Sequence, residues 1–168
     1  MVSRYYPRIL NVHPADATKY VGLGWIPTAK AILAEEKSVK STVFFVDQSD
    51  DGGPILIQSA SLPLSRWDNQ LREVRRFAEK IDARVLKKFR EAAEREKNNL
   101  YETLKKVSGD IQEVLKVEGD WKIYPFAVHE LIAKGRVALD DRTVYIDGVQ
   151  MPSGGWQVDE YGFAHSIG

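Results

Sequence analysis

Cysteine is absent from the 168 residues of this sequence. Its absence excludes disulfide bonds, thiolate metal sites and cysteine nucleophiles. Histidine is scarce: the three histidines, His13, His129 and His165, stand far apart, and none has a second metal ligand at helical spacing. Glycine-rich phosphate loops and a Gly-x-Ser-x-Gly nucleophile motif are missing as well. We therefore predict no metal, no cofactor and no catalytic residue.

A surplus of charge is also missing, because 24 basic residues balance 24 acidic ones. Dominant non-specific nucleic-acid binding needs excess positive charge, although a local basic patch stays possible. No run approaches the ~18 apolar residues of a membrane span. The first ten residues, with Arg4, Pro7 and Arg8, lack the apolar core of a signal peptide. The sequence therefore predicts a cytoplasmic protein without membrane contact.

The middle third of the chain, residues 65–117, carries a helical pattern. Ser65 and Asp68 resemble an N-terminal cap. Apolar residues then recur at steps of three and four, at Leu71, Val74, Ala78, Ile81, Val85, Phe89 and Ala92. The stripe weakens at 94–99 and resumes at Leu100, Leu104, Val107, Ile111 and Val114. Either one helix of over forty residues or a helical hairpin fits. A hairpin that turns near 97–99 is favoured, because asparagines coincide with the polar interruption.

Short strands are predicted on both sides of this helical block. On the N-terminal side we expect a strand at 4–12, helices at 15–21 and 27–36, and a hairpin of strands 42–46 and 54–60. On the C-terminal side we expect strands at 121–124, 137–139, 143–146, 149–151 and 156–158, with a helix at 127–134. This order predicts an α+β fold, with a small mixed or antiparallel sheet built from both terminal segments around a long central helix or helical hairpin.

The same pattern suggests a division of the chain into three parts. Residues 1–64 form an N-terminal α+β segment, 65–117 the helical arm and 118–168 a β-rich C-terminal segment. We expect the first and third parts to share one structural domain.

Two acidic clusters suggest cation sites. Asp47, Ser49, Asp51 and Gly52 match the first positions of an EF-hand loop, but Gln58 stands where its bidentate glutamate belongs. A polar hairpin turn explains these residues equally well. Asp120-Trp121-Lys122, if on a strand, resembles the acid-x-lysine pattern of metal-dependent nucleases, which needs a further acid such as Asp47 nearby.

Two sets of residues are candidates for partner binding. The first is basic and lies on the helical arm: Arg72, Arg75, Arg76, Arg84, Lys87 and Lys88. The second is aromatic and lies near the C-terminus: Trp121, Tyr124, Trp156, Tyr161 and Phe163. A solvated charged face laced with i,i+4 pairs, and aromatic residues packed in a core, are the alternatives.

From these features we predict a non-enzymatic interaction factor of the inhibitor or accessory type, as phages and plasmids encode. It would bind a protein partner through the helical arm and the aromatic loops. A homodimer joined by the arm is one form that it could take. The alternatives are a nucleic-acid-binding module that uses the basic face of the arm, and a metal-dependent nuclease centred on Asp120 and Lys122.

Overall fold

The computed structural model describes residues 6–48, 52–158 and 164–165. The strands in these residues are β1 (Leu10–His13), β2 (Ser38–Val39), β3 (Thr42–Phe45), β4 (Ile55–Gln58), β5 (Leu62–Pro63), β6 (Val137–Asp140), β7 (Thr143–Ile146), β8 (Val149–Gln150), β9 (Trp156–Val158) and β10 (Ala164–His165). The α-helices are α1 (Ile26–Leu33), α2 (Asp68–Lys80), α3 (Leu86–Arg95), α4 (Leu100–Leu115) and α5 (Trp121–Phe126). A 3-10 turn (Leu64–Trp67) precedes α2, and π-helical segments (Lys116–Asp120 and Ala127–Ile132) flank α5.

The largest sheet joins strands from both ends of the chain, in the order β1-β3-β4-β9-β10. Strands β3 and β4 form the predicted antiparallel hairpin, and β4 pairs in parallel with β9. Strands β6, β7 and β8 form a separate meander, and β2 pairs with β5. The predicted fold class is therefore confirmed: the fold is α+β, with a small mixed sheet built from N-terminal and C-terminal segments.

The helical middle third is broken twice, which excludes one long helix. The first break follows α2, where Asp82 takes a positive φ of 47°. The second break lies at Lys97, with a φ of 52°, where the hairpin turn is predicted. The first break was not predicted, because Ile81 and Val85 continue the apolar stripe on either side of it. Ala83, within the turn itself, is buried.

Helices α1 to α4 cover each other's apolar faces. Leu71, Val74 and Phe89 are fully buried in their shared core, together with Leu104 and Ile111 of α4. Phe77 and Phe89 meet edge to face, with ring centroids 5.4 Å apart. Burial of this kind stabilises each large apolar side chain by about 1.5–3 kcal/mol.

The predicted strand at 121–124 is wrong, because α4 continues through both π-helical segments and α5 as one helical rod over residues 100–132. Ile123, Ala127 and Leu131 are buried at helical spacing against the main sheet. This packing outweighs the strand-like local composition and tolerates Pro125 inside the rod.

At the N-terminal end, the predicted helix at 15–21 is also absent from the described structure. Asp16 instead accepts hydrogen bonds from the Thr18 backbone and hydroxyl groups. Such local bonds compete with a helix and form a turn. The described part of the chain contains no helix that is both long and apolar enough to span a membrane.

Candidate functional site

A row of polar residues crosses strands β1, β3, β4 and β9 of the main sheet. The backbone register pairs His13 with Thr42, Thr42 with Gln58, and Gln58 with Gln157. Register partners present their side chains on the same face of a sheet. His13, Thr42 and Gln58 are buried, so this row forms a line of buried polar groups across the sheet.

Thr42 connects this row to the turn that follows β1. Its hydroxyl donates to the Ala15 carbonyl at 2.7 Å. The same Oγ1 accepts from the Ala17 amide at 3.2 Å and from Gln58 Nε2 at 3.1 Å. Buried polar groups need such partners, and these bonds fix the backbone directly after His13.

Gln58, Gln157 and Lys40 form the next part of the network. Gln157 Nε2 donates to Gln58 Oε1 at 2.9 Å. Lys40 Nζ donates to the amide oxygens of both glutamines, at 3.3 Å to Gln58 and 3.1 Å to Gln157. One lysine thus links β4 to β9, where N-terminal and C-terminal segments of the chain meet.

Asp16 completes the network at the β1 turn. Gln58 Nε2 donates to its carboxylate at 3.0 Å. Burial raises the pKa of Asp16, but the hydrogen bonds from Thr18 and Gln58 outweigh burial, and the net effect lowers this pKa. Asp16 is therefore held as a carboxylate.

His13 lies at the centre of the site, at the carboxyl end of β1. Its Nε2 is 3.0 Å from the Tyr20 carbonyl oxygen. Since a carbonyl only accepts, Nε2 carries the hydrogen of this bond. Asn11 is two residues earlier on the same strand and therefore on the same face, where it is exposed. An imidazole and a solvent-facing amide thus share one strand face.

Gly119 allows the helical rod to lie against the start of β3 and the end of β4. A Cβ at Gly119 would lie 2.4 Å from Ser41 Oγ and 3.0 Å from Ser41 Cβ. Ser41 and Ser59 are held together there by two bonds of 2.9 Å, one from the Ser41 amide to Ser59 Oγ and one from the Ser59 amide to the Ser41 carbonyl. Only glycine allows this close approach.

Asp120 is the residue after Gly119 in the π-helical segment, and it is 7% exposed. Its Oδ1 and the Ser41 hydroxyl are buried without a hydrogen-bond partner. Burial raises the pKa of Asp120, although nearby Ser41 and the charges of His13 and Lys116 oppose the shift. Ser41 thus lies close to Asp120, although no hydrogen bond joins Ser41 Oγ to Asp120 Oδ1. Orphaned buried polar atoms are rare, and π-helical segments occur often at functional sites.

A cavity of about 210 Å³ opens beside this network. Its walls include Ala15, Asp16, Tyr20 and Lys40. Burial and the hydrogen bond to Glu36 raise the pKa of Tyr20 to about 12. The turn after β1 therefore belongs both to the polar network and to a cavity wall.

The basic residues predicted for partner binding lie on exposed surfaces of the helical bundle, and most face acidic neighbours. Arg75 pairs with Asp68 at 2.6 Å and Arg84 with Glu35 at 3.6 Å. Arg72 donates a hydrogen bond to Asn69 at 2.8 Å. Arg76 pairs with Glu73 at 3.5 Å and Lys87 with Glu91 at 3.9 Å. Lys88 is exposed. This arrangement matches a solvated face, and the partner role stays a prediction.

The predicted aromatic set does not form one surface in the described residues. Trp121 is 68% exposed and Tyr124 37% exposed, on the helical rod. Trp156 is partly buried, 6.0 Å from the Phe126 ring centroid and 5.4 Å from the Arg136 guanidinium. Tyr161 and Phe163 lie outside the described residues.

The two predicted cation sites are not assembled in the described part of the chain. Asp47 pairs with Arg142, while Asp120 lies against Ser41. Lys122 is exposed on a helix instead of a strand, so the nuclease pattern loses its structural context. Across the described ranges no three acidic or histidine side chains could together hold a metal ion. Ser49 and Asp51 of the proposed calcium loop lie outside them.

Comparison with known proteins relates the chain to enzymes. No protein-family model matches it. Phosphoribosylglycinamide formyltransferase of Haemophilus influenzae is 27% identical over 153 residues, which cover 91% of this chain and 52% of that protein. The Escherichia coli protein of the same name is 25% identical over 159 residues, covering 95% of this chain and 55% of its relative. The chain spans about half the length of the curated relatives it matches.

Solved structures show the same fold. The phosphoribosylglycinamide formyltransferase of Coxiella burnetii superposes with a TM-score of 0.52 at 24% identity, over 93% of this chain and 53% of the other. That of Anaplasma phagocytophilum gives 0.50 at 24% identity, over 88% and 52%.

These comparisons overturn the functional prediction. The relatives are enzymes, so a non-enzymatic interaction factor, an inhibitor and a phage-type accessory protein are wrong interpretations. Because these relatives are formyltransferases, the alternative functions of a nucleic-acid-binding module and a metal-dependent nuclease are wrong as well, whereas no finding tests which partners the chain binds. The prediction that the chain is not an enzyme is wrong for the same reason.

Sequence reasoning missed the residues that the fold brings together. His13 was considered only as a metal ligand and Gln58 only as the residue at the last position of a calcium loop, and Asn11 was not considered. Their signal was available: each is a polar residue inside or at the end of a short apolar strand. Asp120 was proposed as a metal ligand in a nuclease pattern with Lys122, but Asp120 is buried and Lys122 is exposed to solvent.

Proposed function

We propose that this chain carries the formyl-transferring part of a phosphoribosylglycinamide formyltransferase. Similarity to two such enzymes over more than nine-tenths of the chain supports the proposal. The observation that carries it is that exposed Asn11 and His13 share one face of β1, while the charge of His13 acts on Asp120, which has a buried oxygen without a hydrogen-bond partner.

His13 supplies the proton transfer in this proposal. When an amine attacks a formyl carbon, a carbon–nitrogen bond forms and the nitrogen must lose a proton before the donor group leaves. An imidazole titrates close to neutral pH and is the side chain best suited to accept that proton and pass it to the leaving group. The Tyr20 carbonyl holds the His13 ring, and Thr42 holds the backbone that follows His13.

Asn11 supplies stabilisation of charge. Attack turns the formyl carbonyl oxygen into an oxyanion, and a side-chain amide N–H can donate to it. Asn11 is exposed on the strand face that it shares with His13, so one bound carbonyl group can reach both side chains.

Asp120 and Ser41 supply a contact for the acceptor substrate. Phosphoribosylglycinamide presents N–H and O–H donors, and the Asp120 carboxyl has an oxygen without a partner. A hydrogen bond to substrate would satisfy this buried group, which otherwise costs about 1–3 kcal/mol.

The test is formyl transfer to phosphoribosylglycinamide from p-nitrophenyl formate, with the formylated product identified by mass spectrometry. His13→Asn should reduce transfer by about 10²–10⁴-fold, as expected for loss of a proton-transfer group. Asn11→Ala should reduce it by about 10²–10³-fold. Folding of each variant is checked by thermal unfolding.

His129→Asn is the matched control, because His129 is exposed on the helical rod. It should leave transfer within about twofold of the wild-type rate, since it meets neither His13 nor the network. Equal losses in both histidine variants, or full activity in His13→Asn, would remove the proposed role of His13.

The cytoplasmic location, protein or nucleic-acid partners and a homodimer stay predictions. Cell fractionation tests the location, and light scattering tests the homodimer. The division into three segments also stays a prediction.

A further inference from the structure

A second cavity, of about 530 Å³, lies between the turn after β1, the entry to β4 and the meander. Ala17 and Thr18 form one wall, and Gly52, Gly53 and Pro54 another. Arg142, in the turn between β6 and β7, also lines it. The volume is within the range of small-molecule sites.

Arg142 connects the two sides of the β3–β4 hairpin loop. Its Nη1 donates to the Asp47 carboxylate, and its Nη2 donates to the Gly52 carbonyl. Asp47 follows β3, while Gly52 precedes β4. Only the forked guanidinium can donate to two such acceptors at fixed angles. The Asp47 side chain is 14% exposed, so its pair with Arg142 is partly shielded from solvent.

The sheet fixes the neighbouring backbone from the other side. The Phe45 amide donates to the Pro54 carbonyl at 2.9 Å. A Cβ at Gly53 would lie 1.7 Å from the Phe45 carbonyl oxygen, so the strands approach as closely as glycine allows. Gly53 and Pro54 are therefore held by the sheet, and Gly52 is held by Arg142.

We infer that Arg142 is a positioning residue, which holds the Gly52–Pro54 wall of this cavity in place. The opposite wall, Ala17 and Thr18, belongs to the turn that follows His13. Movement of the Gly52–Pro54 wall therefore changes the space beside the candidate site without removing any group from it. The kinetic part of the inference rests on the proposed function, whereas its structural part does not.

Hydrogen exchange tests the structural part. Arg142→Ala should raise exchange of the Phe45 amide by about tenfold, because the hairpin neck then opens more often. Arg142→Lys should give a smaller rise, since an ammonium cannot reproduce the fork. The amide of Val43, deeper in the same sheet, should be unaffected.

Arg136→Ala is the matched control. Arg136 directly precedes β6, and it binds both carboxylate oxygens of Asp147, which directly follows β7, with Nη2 at 2.6 Å from Oδ2. Its loss should leave Phe45 exchange unchanged. Unchanged exchange in Arg142→Ala, or an equal rise in Arg136→Ala, would overturn the inference.

Formyl-transfer kinetics test the second part. Arg142→Ala should raise KM severalfold, by about threefold to tenfold, with kcat within about twofold, because the reacting groups stay in place. A loss of kcat alone would overturn the positioning role. If no variant and no wild-type protein transfers formyl groups, the proposed function fails, while hydrogen exchange still decides the role of Arg142.

Discussion

Replacement of Gly119 by alanine should push the helical rod away from the sheet. The new Cβ would lie 2.4 Å from Ser41 Oγ, 3.0 Å from Ser41 Cβ and 3.3 Å from Ser59 Oγ. The hydroxyl of Ser41 can rotate, but its Cβ is fixed by the backbone. The contact with Cβ therefore requires Ser41 or the rod to shift by a few tenths of an ångström, and we expect the rod to shift and to carry Asp120 with it.

The magnitude follows from two opposing terms. Overpacking of a buried contact costs about 1–3 kcal/mol. Alanine gains about 1 kcal/mol over glycine inside a helix. Gly119→Ala should therefore lower the free energy of unfolding by about 0–2 kcal/mol.

Gly109 in α4 separates these two terms. Nothing lies within 4 Å of a Cβ built at Gly109. Gly109→Ala should therefore show only the gain in helix propensity from glycine to alanine, and it should raise the free energy of unfolding by about 1 kcal/mol. The difference between the two variants, about 1–3 kcal/mol, measures the contact of the rod with the sheet.

Urea unfolding of both variants is the assay, repeated in a Ser41→Gly background. Since Ser41→Gly removes both Oγ and Cβ, the double-mutant cycle should recover most of the loss at Gly119. If Gly119→Ala stabilises the protein as much as Gly109→Ala does, the close approach of rod and sheet is refuted.

Two further predictions concern ionisation. Burial raises the pKa of Asp120, so the wild type should lose stability relative to Asp120→Asn as the pH rises from the ordinary carboxyl pKa through this raised pKa. A pH-independent difference between the two proteins in urea unfolding would contradict this. Tyr20 should titrate at a pKa of about 12 because of burial and Glu36, and Glu36→Gln should lower this pKa in an ultraviolet titration; no change would show that Glu36 does not act on Tyr20.

Short-range patterns predicted several of the flanking strands, but not the helix at 121–126. The expected strand at 143–146 matches β7, and the turn at Asp147 and Gly148 returns the chain to β8 as predicted. These elements succeed because alternating β-branched residues and a two-residue turn are local signals.

The helical rod could not be predicted from the same signals. Trp121 and Tyr124 favour a strand by composition, but Ile123, Ala127 and Leu131 are buried at helical spacing. The choice is made by packing against a sheet whose strands lie far away in the sequence. The break at Asp82 likewise interrupts a continuous apolar stripe, so periodicity alone did not indicate it.

The candidate site was hidden for a related reason. His13, Thr42, Gln58 and Gln157 become neighbours only through strand register, which depends on both ends of the chain. Each alone is an ordinary polar residue in a short strand. Asp120 joins them because Gly119 lets the rod approach, and this contact has no local sequence signal.

The most direct measurement of the central claim compares formyl transfer to phosphoribosylglycinamide in His13→Asn and His129→Asn. The account predicts that the first variant loses about 10²–10⁴-fold of the wild-type rate and that the second keeps it. Equal rates in the two variants, with the wild type active, would contradict the placement of proton transfer at His13.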